Sequence, residues 1–340
     1  MIVDFQTHYT PPEMMRPDGP KVQLDDRGNP VYFLNPLLAD IAGRLQMMDL
    51  CGIDAAVLSC GAGFDQPNIA TCRLINDRMA DVAKTHPGRL IGLAHVPALN
   101  PDEALPELKR CAVELNFPGV VVASELQGRG LDDEALRPFW KATADLGLYV
   151  FVHPLPRVIG WDQVYTDDLG RMLGWEFSLM VSAVRLINSG LLDDLPPLRV
   201  QYAHFAGGLG RYLGRVRGLM QRSKWGTADI PRHNRMPKQA FDYYMEQRLF
   251  FDCAGFSGPD HAAEWGSDWV GRGMTETKVT QTVFATDYPQ AISAHDQVKA
   301  YVDAVRALGP TAREMMEGDT PLRLIPDLKQ RVATKAGGVR

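Results

Sequence analysis

The feature that most constrains the fold of this chain is an eightfold alternation of apolar and amphipathic segments. Short apolar runs typical of strands occupy residues 2–8, 54–60, 89–96, 119–124, 149–154, 199–205, 249–255 and 282–289. Most are continuous rather than alternating, as expected for parallel strands that are covered on both faces. Amphipathic stretches typical of helices occupy residues 37–51, 68–86, 101–116, 132–146, 175–189, 208–224 and 295–308. This alternation favours an α/β fold, either a doubly wound sheet or a barrel, and eight units favour a (β/α)8 TIM barrel.

The length of the chain is compatible with one large barrel. A barrel with insertions can accommodate 340 residues as one domain. We expect residues 1–326 to form that single domain and the basic stretch 327–340 to be a frayed tail. Long connections follow the first strand, at 9–36, and the fifth, at 155–174, and a third precedes the seventh strand, at 225–248. Because loops that follow the strands lie at the catalytic end of a barrel, we expect the first two to cover the substrate.

Composition argues against several functional classes. No apolar run reaches the length of about 18 residues that a membrane span needs, and the first residues lack the features of a secretory signal, so we expect a cytoplasmic protein. A net charge of −5 argues against a nucleic-acid-binding protein, and the basic residues between 211 and 224 are interpreted as a solvated helix face. The five scattered cysteines form no C-x-x-C pair and are interpreted as reduced thiols.

Four residues that can bind metals or move protons lie at the ends of predicted strands. His8, His153, His204 and Asp287 end the first, fifth, sixth and eighth strands, whose carboxyl ends meet at one mouth of a barrel. Imidazole and carboxylate groups suit zinc, manganese or iron, and a catalytic site needs about three protein ligands and one open position. The sequence therefore predicts a site for one divalent metal ion. The other five histidines are interpreted as structural or surface residues.

The segments around these positions resemble a known family. They read DFQTH at 4–8, FVHP at 151–154, YAHFAGG at 202–208, FD at 251–252 and ATDYP at 285–289. In this order they look like the motifs of the amidohydrolase-related (amidohydrolase 2) family, which includes aminocarboxymuconate-semialdehyde decarboxylase. The resemblance runs to about residue 326 and implies a barrel of the metal-dependent hydrolase type. It also implies His8, His153 and Asp287 as metal ligands and His204 as the histidine that assists catalysis.

Three further residues are candidates for the same site. Gln6 stands where the family places His or Glu, so its amide oxygen is either a weaker metal ligand or leaves the ion with three strong ones. Arg44 falls where the decarboxylases of this family hold a substrate carboxylate, and its planar fork could bind one with two hydrogen bonds; a surface arginine is the alternative. Arg211 follows a Gly-Gly pair, where an anion could approach a helix start.

Several functions are consistent with these residues. The first is a decarboxylase acting on a small carboxylated substrate, with Asp287 and His204 moving the proton. A hydrolase would use the same groups for attack on a carbonyl. The departure at Gln6 raises the alternative of a single-metal or accessory subunit in a heteromeric iron- or manganese-dependent oxygenase built from two paralogous barrels. A further alternative is a metal-independent lactonase or binding barrel. We expect a homodimer or a hetero-oligomer with a paralogous subunit.

Overall fold

The computed structural model contains the eight parallel strands that the sequence predicts. It describes residues 1–15, 22–24, 30–155, 168–221, 237–256 and 259–333. The strands are β1 Val3–His8, β2 Ala55–Ser59, β3 Leu90–Gly92, β4 Gly119–Ala123, β5 Tyr149–His153, β6 Arg199–Tyr202, β7 Leu249–Asp252 and β8 Thr282–Val283. Each lies within a predicted segment, and the (β/α)8 prediction is confirmed.

Neighbouring strands pair in chain order around the barrel. Parallel ladders join β1 to β2 and β2 to β3, and a second set joins β4 through β8 consecutively. A parallel bridge between Ala94 and Val120 links the end of β3 to β4. The Phe5 amide donates to the Phe284 carbonyl at 2.9 Å, and Thr7 bridges Tyr288, which links β8 back to β1. The carboxyl ends of all eight strands therefore face one end of the ring.

One long helix follows each strand and packs outside the barrel. The helices are α1 Ile41–Cys51, α2 Ile69–Thr85, α3 Pro101–Val113, α4 Arg137–Asp145, α5 Trp175–Asn188, α6 Leu213–Gln221, α7 Ala262–Glu276 and α8 His295–Ala307. Seven of them overlap predicted segments. The exception is α7, which carries three glycines that lower its helix propensity. One of these, Gly273, has no room for a Cβ, which would lie 2.3 Å from the Phe205 ring, so close packing against this ring requires glycine.

Shorter elements complete the described chain. The additional helices are Leu191–Asp194, Phe241–Gln247, Pro310–Glu317, Thr320–Leu324 and Leu328–Ala333. Two antiparallel hairpins pair Val22–Leu24 with Pro30–Phe33 and Glu125–Leu126 with Arg129–Gly130. Among the described helices, none combines the length and the apolar character that crossing a bilayer requires. All five cysteines are buried and unpaired.

The prediction of a frayed tail from residue 327 is wrong for its first part. Leu328–Ala333 forms a helix in which Leu328 is fully buried, and the Arg331 guanidinium donates to the Asn116 carbonyl. The apolar pair Leu328 and Val332, four residues apart, gives this short helix one face that packs on the barrel. Residues 334–340 lie outside the described part of the chain. So do residues 16–21, 25–29, 156–167 and 222–236, which include much of the three predicted long connections.

Candidate active site

The structure brings the predicted metal ligands together at the carboxyl ends of the strands. His8 is the last residue of β1, and His153 is the last residue of β5. Asp287 follows β8 by four residues. The potential ligand atoms of these three side chains all lie within 4.8 Å of one another. Residues that are more than 130 positions apart in sequence thus converge at one point, as the barrel topology predicts.

The separations are compatible with shared binding of one ion. His8 Nε2 lies 2.7 Å from Asp287 Oδ1, and the His8 and His153 rings are 5.0 Å apart at 87°. Ligands that share an ion at about 2.1 Å are themselves separated by about 3 Å or more. The contact between His8 and Asp287 is slightly shorter than this distance. The two side chains therefore need to move apart only slightly to bind the same ion, with His153 as the third ligand.

Hydrogen bonds hold both histidine rings with Nε2 directed inward. The Ser59 hydroxyl donates to the Thr7 carbonyl at 3.4 Å, so it accepts from His8 Nδ1–H at 3.1 Å. His153 Nδ1–H donates to the Pro154 carbonyl at 2.9 Å. Nε2 is therefore the atom of each ring that faces the site and would bind an ion, the usual arrangement for a metal-binding histidine; His8 would first release the Nε2 proton that it donates to Asp287. His153 also packs against Phe64, with ring centroids 4.4 Å apart.

The charge states of the three candidate ligands suit a cation. Burial lowers the pKa of His153 well below 6.5, and the positive charge that His8 and His204 can carry lowers it further, so this ring is neutral near pH 7. Burial alone would raise the pKa of Asp287, but its hydrogen bond to His8 and the nearby histidines outweigh that effect and lower it. The site therefore offers one carboxylate and at least one neutral imidazole, the forms that bind metal ions.

Gln6 lies beside this cluster, as the sequence predicts. Its side chain is fully buried, with Nε2 3.4 Å from His153 Nε2 and 3.2 Å from His204 Nε2. Its Oε1 atom is buried and has no hydrogen-bond partner among the described residues. A buried carbonyl oxygen without a partner is costly unless something binds it. The amide oxygen therefore accepts no hydrogen bond from the described residues. An oxygen that needs a partner at this position fits a fourth, neutral metal ligand.

His204 begins a left-handed turn that the sequence analysis did not predict. Five consecutive residues have positive φ, from 51° to 75°: His204, Phe205, Ala206, Gly207 and Gly208. Three of them are not glycine, and such residues adopt this conformation at a cost of about 1–2 kcal/mol each. The Asp252 carboxylate, at the end of β7, accepts from the His204 amide at 2.9 Å and holds the start of the turn.

The His204 ring has a carboxylate partner from another element. Its Nδ1 lies 2.8 Å from Oε1 of Glu176, in the first turn of α5. Burial lowers the pKa of His204, but the charge of Glu176 and the hydrogen bond to it outweigh burial and raise this pKa to about 9. His204 therefore carries a proton near neutral pH, while its Nε2 faces Gln6 and the candidate metal ligands.

The structure corrects the prediction for Arg44. Its side chain is fully buried, so it is neither a surface arginine nor an accessible substrate-binding group. The guanidinium donates to Thr7 Oγ1 at 2.7 Å and to the His8 carbonyl, and it lies 5.0 Å from the Tyr288 ring centroid. Arg44 therefore supports the end of β1, because its two terminal nitrogens donate to the Thr7 side chain and to the His8 carbonyl.

The structure also corrects the prediction for Arg211. Its side chain is 80% exposed and lies 3.7 Å from the Glu276 carboxylate at the end of α7. The Gly-Gly pair before it belongs to the left-handed turn and does not open a long helix. Arg211 is therefore a surface residue in a loose ion pair, and we do not retain it as a substrate-binding residue.

Sequence reasoning missed two residues that shape the site, Glu176 and Ser59. A single glutamate in the first turn of a helix is ordinary, since it stabilises the helix dipole. A serine at the end of an apolar strand is equally unremarkable. No sequence signal indicates that these side chains contact His204 and His8, because each contact joins separate βα units.

Comparisons with known proteins show the family and the fold of the chain. The family described as Amidohydrolase matches residues 3–326 of the chain. A gamma-resorcylate decarboxylase from Rhizobium sp. is 30% identical over 309 residues, which are 84% of this chain and 87% of that protein. A 2-amino-3-carboxymuconate-6-semialdehyde decarboxylase from Dictyostelium discoideum is 30% identical over 179 residues, about half of either protein. The crystal structure of a 2,6-dihydroxybenzoate decarboxylase from Rhizobium superposes with a TM-score of 0.76 and 25% identity, covering 96% of this chain and 98% of that one.

Proposed function

Because the chain belongs to the amidohydrolase family, as its motifs indicated, we propose that it is a metal-dependent decarboxylase of a small aromatic carboxylic acid. The observation that carries the proposal is the convergence of His8, His153 and Asp287 within 4.8 Å, next to a histidine that is held by a carboxylate. The Rhizobium and Dictyostelium relatives, both named as decarboxylases, support the reaction class.

His8, His153 and Asp287 would hold one divalent ion, and Gln6 would contribute its unpaired Oε1. Two imidazoles with carboxylate and amide oxygens are borderline-to-hard ligands, which suit zinc, manganese or iron. When bound, such an ion would fix the substrate carboxylate and a neighbouring hydroxyl and withdraw negative charge from them. Asp287 is ionised near pH 7, the form that serves as a ligand. It would also accept the proton of the substrate hydroxyl and return it to the same oxygen after carbon dioxide has left.

His204 is the proposed proton donor. Its Nδ1 is occupied by Glu176, so Nε2 is the ring atom that faces the site. In decarboxylation the bond between the ring carbon and the carboxylate breaks and carbon dioxide leaves. The electron pair stays on the carbon, which takes a proton from His204 Nε2. Water then returns a proton to His204, and the hydroxide that remains combines with the released carbon dioxide as bicarbonate, so atoms and charge balance over one turnover.

Carbon dioxide release from a panel of hydroxybenzoates tests the proposal. The panel includes 2,6-dihydroxybenzoate, and the purified chain is assayed with zinc, manganese or iron(II) and after treatment with a chelator. We expect release with at least one metal, loss after chelation, and loss in His204→Gln with the metal content unchanged. A metal-loaded chain that releases no carbon dioxide from any member of the panel would overturn the proposal.

A further inference from the structure

The carboxylate that contacts His204 comes from a different βα unit, and several independent contacts bring it there. Glu176 lies in the first turn of α5, whereas His204 directly follows β6. The Glu176 side chain is 20% exposed and that of His204 is 4% exposed, so their 2.8 Å contact is shielded from solvent. A hydrogen-bonded pair that is shielded from solvent is stronger than an exposed surface pair.

The left-handed turn is shaped to approach Glu176 closely. A Cβ on Gly207 would lie 2.0 Å from the Glu176 carbonyl oxygen, so only glycine lets the turn reach α5. The next residue, Gly208, has the same type of backbone conformation but no atom within 4 Å of its Cβ position. Of these two glycines, only Gly207 therefore lies in close contact with the Glu176 backbone.

The start of α5 is also fixed from its other side. Ser178 Oγ donates to the Trp175 carbonyl at 2.7 Å, and Ser124 Oγ, at the end of β4, donates to Ser178 Oγ at 2.9 Å. Ser124 Oγ in turn accepts from the Leu155 amide, just after β5. These bonds tie the first turn of α5 to the ends of two neighbouring strands, so Glu176 is held in place before it contacts His204.

We propose that Glu176 is the positioning residue of His204. By accepting a hydrogen bond from Nδ1–H, its carboxylate selects one orientation of the ring, in which Nε2 faces Gln6 and His153. The contribution of this contact to catalysis rests on the proposed function, in which His204 Nε2 delivers the proton. Outer partners of this kind commonly contribute about 10- to 100-fold to activity.

The test compares Glu176→Ala and Glu176→Gln with a matched control. Glutamine can still accept from Nδ1–H, whereas alanine cannot. The control is Glu264→Ala, because Glu264 also lies in the first turn of a helix beside a histidine, His261, at 3.9 Å, but both side chains are more than half exposed. The first readout is the pair of nitrogen-15 chemical shifts of the His204 ring in zinc-loaded protein, assigned with His204→Gln. The shifts are followed to a pH above the His204 pKa of about 9, where the ring is neutral and they report which ring nitrogen keeps the proton.

In the parent chain and in Glu176→Gln we expect Nδ1 of His204 to be protonated, and in Glu176→Ala we expect this preference to be lost. In Glu176→Ala kcat should fall about 10- to 100-fold, with KM and metal content changed less than about twofold. Added formate should restore part of kcat in Glu176→Ala alone. Glu264→Ala should match the parent chain in every readout.

Unchanged nitrogen shifts and unchanged kcat in Glu176→Ala would overturn the inference. If Glu176→Ala fails to fold, Glu176→Gln and Glu176→Asp decide the question, because loss of the Nδ1–H preference in a folded Glu176→Gln protein would equally contradict it. The nitrogen shifts do not depend on turnover, so they test the role of Glu176 even if the proposed decarboxylation is not observed.

Discussion

The two adjacent glycines of the left-handed turn allow the close approach to α5 to be measured directly. Gly207 and Gly208 have φ of 68° and 75°, so alanine at either position meets the same backbone penalty of about 1–2 kcal/mol. They differ in their surroundings, because only a Cβ on Gly207 meets the Glu176 carbonyl, at 2.0 Å. Relieving that contact requires the turn or α5 to move by about 1 Å, and overpacking of this kind costs about 1–3 kcal/mol.

We therefore expect Gly207→Ala to lose about 1–3 kcal/mol more free energy of unfolding than Gly208→Ala. The measurement is equilibrium unfolding in urea near neutral pH, with chelator present so that metal binding does not add to the difference. Gly207→Ala should also lower kcat, because the movement displaces His204 from Glu176. Equal destabilisation by the two substitutions would refute the argument that Gly207 is required for this contact.

Three further predictions concern single buried residues. Burial lowers the pKa of His95 to about 3 in the folded chain, whereas in the unfolded chain this histidine takes up a proton below about pH 6.5. Because only the unfolded chain binds this proton, about 2 kcal/mol of the free energy of unfolding is lost by about pH 5. His95→Gln retains an acceptor for the Cys60 amide but does not titrate. In urea unfolding, the difference in unfolding free energy between this variant and the parent chain should therefore shrink by that amount as the pH falls. A difference that does not change with pH would contradict the low pKa of His95. Gln6→Glu should tighten manganese binding about tenfold in calorimetric titration, since a charged ligand replaces a neutral one; unchanged affinity would show that residue 6 does not contact the ion. Arg44→Met should cost about 2–4 kcal/mol of unfolding free energy, because the His8 carbonyl and Thr7 hydroxyl lose their donor; unchanged stability with a raised KM would instead support a substrate-binding role.

The fold was predictable because each βα unit carries its own local signal. Continuous apolar strands and amphipathic helices repeat along the chain, and a parallel barrel is the arrangement that buries all eight strands. The convergence of His8, His153 and Asp287 follows from the same logic, since all three lie at carboxyl ends of strands. The local sequence pattern therefore sufficed to predict those site residues that lie at the end of a strand.

Contacts between different units were not predictable in this way. The pairing of Glu176 with His204 depends on how α5 and the left-handed turn pack, and the conformation of Phe205 and Ala206 runs against their intrinsic preferences. Arg44 shows the same limit, because an arginine in the first turn of α1 carries no local sign that it will be buried against the β1 backbone. Tertiary packing decided each of these cases.

The central claim is that His8, His153 and Asp287 hold one divalent ion. Its most direct test is elemental analysis of the chain and of His153→Ala, each purified after expression with zinc, manganese and iron supplied, with the exposed His261→Ala as the control. The account predicts about one ion per chain in the parent and control proteins, and almost none in His153→Ala, which should remain folded. A His153→Ala protein that retains the same ion content as the parent chain would contradict the account.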